Sequence, residues 1–104
     1  PKISAVSQVL VTIFSPFLLK FSINLARQLR GNKLNIEIYP DSDPKLNKQL
    51  KYANDKGIPF VAIIGENEVA KNMITLKNMA SGAQQTYSNT DLVNLAANVN
   101  NSKF

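Results

Sequence analysis

Two carboxylates two residues apart, Glu66 and Glu68 in "GENE", follow directly on the apolar run "IPFVAII". A run with apolar residues on both faces fits the middle of a sheet covered by helices on both sides. In open α/β sheets ligands bind beyond the carboxyl ends of the strands, which is where these acids stand. Two carboxylates alone make a weak cage for a hard cation, which gathers many oxygens. A carboxylate can instead accept two hydrogen bonds from N1–H and N2–H of an unpaired guanine, or one from cytosine N4. The plain alternative is a solvent-facing turn that carries glutamate.

The cations supply the other half of such chemistry. The chain has 12 Lys and Arg against 7 Asp and Glu, a formal net charge of +5. Eight of the twelve fall around two segments expected to be helices: Lys20, Arg27, Arg30 and Lys33 in the first, Lys45, Lys48, Lys51 and Lys56 in the second. They read either as ordinary solvated helix exteriors or as a basic face that holds phosphates, with strong salt dependence. Cations would then give affinity, and the glutamates discrimination between bases. Tyr39, Tyr52 and Tyr87 are candidate stacking platforms, whereas Phe14, Phe17, Phe21 and Phe60 follow the core pattern.

Cysteine and histidine are absent. A thiol nucleophile, a disulfide framework, a Cys/His zinc site and a histidine base are therefore excluded within this chain. No GxGxxG, GxxxxGK[ST], GxSxG or HExxH pattern occurs, so phosphate-cradling loops and hydrolase or metalloprotease sites have no support. Neither catalytic nor metal-ligating residues are expected here.

Period and punctuation mark the elements that must position these groups. "QVLVTIF", Gln8 to Phe14, fits a buried strand, closed by Ser15 as helix N-cap and Pro16 as first helical residue. Phe17, Phe21, Leu25 and Leu29 recur every fourth residue as the inner stripe of a helix capped by Gly31. "KLNIEIYP", Lys33 to Pro40, alternates as a half-exposed strand. In the next helix Asp43 caps, Pro44 opens, Leu46, Leu50 and Ala53 face inward and Gly57 closes. After the third strand "ENEVAKN" makes a helical turn, and "MITLKNM" pairs with "AQQTYS" as an antiparallel hairpin at a sheet edge, turning at Ser81-Gly82. A last helix starts at Asn89-Thr90-Asp91, faces Leu92, Leu95, Ala96 and Val99 inward, and frays through "NVNNSKF". Strand and helix alternating over the first 65 residues imply two parallel crossovers and an α/β sheet.

At 104 residues one domain is expected, because such a chain buries roughly 60–65% of its unfolded surface in a single core. Val9 to Leu25, the longest apolar-rich segment, is broken by Thr12, Ser15, Pro16, Lys20, Ser22 and Asn24. It falls short of the ~20-residue apolar helix a bilayer requires, so a soluble domain without membrane contact is expected. Residues 1–7 read as a linker remnant and 8–104 as the single domain.

The stretch from Lys33 to Gln85 resembles the anticodon-binding domain of class IIa aminoacyl-tRNA synthetases, most of all that of histidyl-tRNA synthetase. The strongest matches are "KQLKYANDKGIPFVAIIGENE" and "ITLKNMASGAQ". The resemblance implies a three-layer domain with a mixed five-stranded sheet flanked by helices, gripping the anticodon loop of a tRNA. Glu68 and Lys77 match positions that contact anticodon bases, and Lys51 matches a basic position on the helix facing the loop. Glu66 and Gln49 stand in matching motif positions. Gln84 has a weaker claim, since this chain reads Gly82-Ala83-Gln84 where the family commonly has Gly-Glu-Gln. By the same resemblance the partner is histidine tRNA, whose GUG anticodon supplies two guanines. The parent would be a homodimeric ligase of the cytoplasm or an organelle, using ATP and Mg in a separate catalytic domain, and this chain would hold no cofactor and catalyse nothing alone. Two alternatives stand beside it. One is a regulatory or interaction domain of a synthetase-like protein. The other is a free-standing flavodoxin-like protein, which would need a phosphate- or flavin-binding loop where this chain has "SPF".

Overall fold

A computed structural model of the chain describes residues 7–13, 16–40 and 45–101, and of residues 16 and 17 the backbone alone. The elements run β1 (Val9–Val11), α1 (Pro16–Gly31), β2 (Ile36–Ile38), α2 (Leu46–Lys56), β3 (Phe60–Ile63), α3 (Glu66–Ala70), β4 (Met73–Asn78), β5 (Gln84–Ser88) and α4 (Leu92–Asn100). Five strands make one sheet in the order β2-β1-β3-β4-β5. β1 lies parallel to both β2 and β3, while β4 and β5 add antiparallel as the expected hairpin beyond β3. The α/β class and the mixed five-stranded sheet are as expected.

β1 and β3 are apolar throughout because both of their faces are covered. Val9, Val11, Phe60 and Ala62 pack with Leu25, Ala26 and Leu29 of α1 and with Leu95 and Val99 of α4. Leu10 and Val61 point the other way, toward Leu50 and Ala53 of α2. Three layers result, with α1 and α4 opposite α2. β4 alternates instead: Ile74, Leu76 and Asn78 are buried, Thr75 and Lys77 half-buried.

Side chains complete the hydrogen bonding where β1 ends. Gln49 of α2, fully buried, donates from Nε2 to the Ile13 carbonyl at 2.7 Å and accepts the Ile13 N–H at 2.9 Å. Thr12 donates its hydroxyl to the Ala62 carbonyl at 3.0 Å. The strand is accordingly shorter than the apolar run that encodes it.

Several local expectations change. Phe21 is 52% exposed and not part of the core. Residues four apart advance about 40° around an α-helix. With Leu25 and Leu29 facing the sheet, Phe21 therefore drifts to the flank, and Leu18 and Ser22 take the inner positions. The Ser22 hydroxyl donates to the Thr12 carbonyl at 2.7 Å, which satisfies it in place. Gly31 is the last residue of α1, and the left-handed conformation falls to Lys33, with φ 67°. Tyr39, expected on the exposed side of a longer strand, is buried beyond β2, where its ring meets Tyr52 edge-on at 5.5 Å. Lys45 occupies the N-cap position of α2, and Gln49 with Ala53 takes the innermost seats while Leu46 and Leu50 are half-buried. Gly57 ends α2 as expected, with φ 73°. All four inward residues of α4 are buried, and that helix runs on to Asn100. Phe14, Ser15, the Phe17 side chain, Asp43, Pro44 and residues 1–6 and 102–104 lie outside the described residues. Ser7 donates its hydroxyl to Glu37 at 3.1 Å.

Candidate nucleic-acid interface

At the carboxyl end of β3 the chain passes through buried Ile64 to Gly65, which is extended at φ −97° and ψ −172° and caps α3. Glu66 is exposed in the first turn. Glu68 is half-buried, and its Oε1 accepts the Gly65 N–H at 2.8 Å, so the acid closes the start of its own helix. Its Oε2 takes no hydrogen bond among the described residues. One oxygen fixes the side chain and the other remains an acceptor. Glu68 lines a cleft of about 110 Å³ together with Phe21, Asn24 and Gln28 of α1, between that helix, α3 and the start of β4. The space is several times what one water needs. The Asn24 and Gln28 amides each offer donors and an acceptor there.

The other expected site residues lie elsewhere. Lys77 stands opposite Val61 of β3 and Gln84 of β5, and Val61 faces α2, so Lys77 and Gln84 share the α2 side of the sheet. Gln84 is exposed and Lys77 half-buried. Lys51 is exposed on α2 and paired with Asp55 at 2.7 Å, and that hydrogen bond, with the carboxylate's charge, raises its pKa. Gln49 sits in the core, committed to Ile13. The structure thus groups Glu66 with Glu68 and Lys77 with Gln84, and buries Gln49 apart from both.

The cations do not form one face, because α1 and α2 cover opposite sides of the sheet. Arg30 donates to the Ile36 carbonyl at 3.3 Å. Lys56 lies 3.6 Å from Glu37 and over the Tyr52 ring at 5.4 Å. Burial pushes Glu37 up, but hydrogen bonds from Tyr52 and Ser7 and the Lys56 ammonium outweigh it, leaving the carboxyl below its ordinary value. Tyr52 is pushed up, first by its bond to Glu37 and then by burial. This cluster belongs to the β2 edge and holds Tyr52 in place. Lys20 and Arg27 are exposed on α1 and make no ion pair or hydrogen bond among the described residues.

None of the three tyrosines is a free stacking platform. Tyr39 and Tyr87 are 5% and 4% exposed, and the Tyr87 hydroxyl accepts from Asn98 Nδ2 at 2.5 Å. Among the described residues the exposed ring is Phe21. Among the described residues no group of three or more His, Cys, Asp and Glu could hold a metal ion, and no helix is long and apolar enough to cross a membrane.

Residues 8–98 match the family described as anticodon binding domain. The chain belongs to this family. The anticodon-binding domain is 44% identical over 73 residues to the histidine–tRNA ligase of Phocaeicola vulgatus, covering 70% of this chain and 16% of that protein. To the histidine–tRNA ligase of Pelagibacter ubique it is 39% identical over 90 residues, covering 83% and 19%. Its fold matches the crystal structure of histidyl-tRNA synthetase from Nostoc sp. PCC 7120 with a TM-score of 0.83 at 30% identity, over 94% of this chain and 23% of that one. The RNA binding domain of threonyl-tRNA synthetase from Cryptosporidium parvum Iowa II shares the fold, with a TM-score of 0.79 at 19% identity, over 96% and 24% of the two chains. The anticodon-binding domain spans less than a quarter of each of these relatives.

Sequence reasoning found the acidic edge of this anticodon-binding domain but missed its other wall. Phe21, Asn24 and Gln28 were legible only through the drift of the four-residue stripe, which sets Phe21 beside the inner face and aligns it with the residues three and seven further on.

Proposed function

We infer that this domain selects histidine tRNA by its anticodon loop within a histidine–tRNA ligase. The observation that carries the reading is Glu68, a carboxylate that lines a cleft with one oxygen pinned by Gly65 and the other without a hydrogen bond among the described residues, within a sequence 44% identical over 73 residues to a histidine–tRNA ligase. Such a group suits the N1–H and N2–H edge of guanine, and the GUG anticodon presents two. Lys51, Lys77 and Gln84 would act from the α2 side, the lysines on phosphates or bases, and Glu66 beside Glu68. ATP and Mg would serve the catalytic part of the parent, a homodimer of the cytoplasm or an organelle, and this domain would contribute selection.

Fluorescence anisotropy of the chain with a GUG anticodon hairpin, and with the same hairpin carrying a changed anticodon, tests this at two salt concentrations. Tighter binding to the GUG loop is expected. Equal, salt-sensitive binding to both would remove base selection from the domain, and no binding at low salt would favour a regulatory domain.

A further inference from the structure

Among the described residues Phe21 is the only exposed aromatic side chain. We propose that Phe21 is the platform on which an unpaired RNA base stacks, with Asn24 and Gln28 reading that base's edge and Lys20 and Arg27 holding its phosphates. This subsite belongs to the tRNA-binding reading above and stands only with it.

Phe21 lines two adjoining hollows. One is the cleft that holds Glu68. The other lies on the outer surface of α1 and is lined by Lys20, Phe21, Ile23, Asn24 and Arg27. The ring therefore stands between an acid with an open acceptor oxygen and two exposed cations that make no ion pair or hydrogen bond among the described residues. Helical spacing makes the arrangement regular: Asn24 and Gln28 continue the flank on which Phe21 stands, and Lys20 and Arg27 form the next strip toward solvent.

Single-stranded nucleic acid is held by this combination, an aromatic face for the base and cations for the backbone. Stacking needs no particular base, since every base has a flat face. Selection falls to the amides, which can donate to or accept from a base edge, and to Glu68, whose carboxylate accepts. Charge complementarity favours a phosphodiester over an acidic protein surface, because among the described residues Glu68 is the only acid lining either hollow, and beside apolar Leu25, Ile64 and Val69 the polar groups there are amides and the cations Lys20 and Arg27. Val93 of α4 makes the contrast. At 72% it is more exposed than Phe21, yet α4 carries no cation, so its exposure offers nothing to a nucleotide.

The test is titration of the chain and its Phe21→Ala, Phe21→Tyr and Val93→Ala variants against the GUG hairpin, the changed-anticodon hairpin and GUG hairpins made abasic at single anticodon positions. Thermal melts check that each variant is folded. Phe21→Ala should weaken binding to the intact GUG hairpin roughly tenfold or more, the scale of one lost base stack. Phe21→Tyr should stay within about threefold of wild type, since the ring remains, and Val93→Ala should match wild type. At one abasic position Phe21→Ala should cost nothing further, which would name the stacked base. If wild type prefers the GUG loop and Phe21→Ala binds it equally well, the platform is refuted while anticodon selection stands. If wild type shows no preference between the hairpins, anticodon selection falls, and the platform falls with it when Phe21→Ala binds both hairpins as wild type does.

Discussion

Gln49 separates a residue that shapes the domain from one that touches RNA, and its replacement by leucine gives different answers under the two assignments. The side chain is fully buried and its amide is matched to both polar groups of Ile13, at 2.7 and 2.9 Å. Gln49→Leu keeps much of the volume, removes both hydrogen bonds and leaves a partly buried N–H and C=O without those partners. A buried group left unsatisfied costs about 1–3 kcal/mol, so two partly buried ones should destabilise the domain by about 2–4 kcal/mol. For a domain of this size that lowers the melting temperature by roughly 10 °C or more. Urea unfolding followed by circular dichroism reads the loss, and anisotropy on the folded fraction at low temperature reads RNA binding. The expected outcome is a lower urea midpoint with RNA affinity unchanged. A variant as stable as wild type that had lost RNA affinity would refute this assignment and return Gln49 to the interface.

Glu68→Gln keeps an oxygen for the Gly65 N–H and so preserves the start of α3. It should weaken binding to the GUG hairpin by about 1–3 kcal/mol with the salt slope unchanged, and an unaltered preference for GUG would remove Glu68 from base reading. Lys51→Ala should weaken both hairpins alike and flatten the salt slope by about one, whereas a loss confined to one sequence would make Lys51 a base contact. Glu37 titrates lower in the folded protein than its ordinary value of 4.5. Its contribution to stability is therefore complete above that value and is lost as pH falls through the lower, folded one. Urea midpoints followed down through pH about 4.5 should fall more steeply for wild type than for Glu37→Gln, and parallel profiles would count against the cluster.

The sheet was legible because its signals are local. Doubly apolar β1 and β3, the alternating "MITLKN" of β4 and Gly57 in the left-handed conformation each carry their own instruction. The site was half legible for the same reason. Glu66 and Glu68 follow a strand whose end is marked by Gly65, so their place at the carboxyl edge could be read directly. Phe21 could not be placed by hydropathy, because whether a ring on the border of a helix's inner face is covered depends on what packs beside it. Ser22, polar by type, took an inner seat because Thr12 offers it a carbonyl, and that pairing exists only in three dimensions. Gln49 was opaque in the same way, since a buried amide becomes acceptable only when a strand end supplies both partners.

The placement of Glu68 follows from where the sheet changes direction. β1, β2 and β3 are parallel and are joined through α1 and α2, but β4 runs back antiparallel beside β3, so only residues 64–72, with the five-residue α3 among them, bridge the reversal. So short a helix is marginal by itself and gains most from a cap at its first turn. Glu68 closes that turn by accepting the N–H of the N-cap Gly65, and in doing so its carboxylate is tied to the backbone two residues beyond a central strand. A group that must distinguish one base edge from another needs that positional restraint, because a loosely held acceptor satisfies several edges equally. On the proposed reading, the hydrogen bond that starts α3 would thus also be what lets the second oxygen select among base edges.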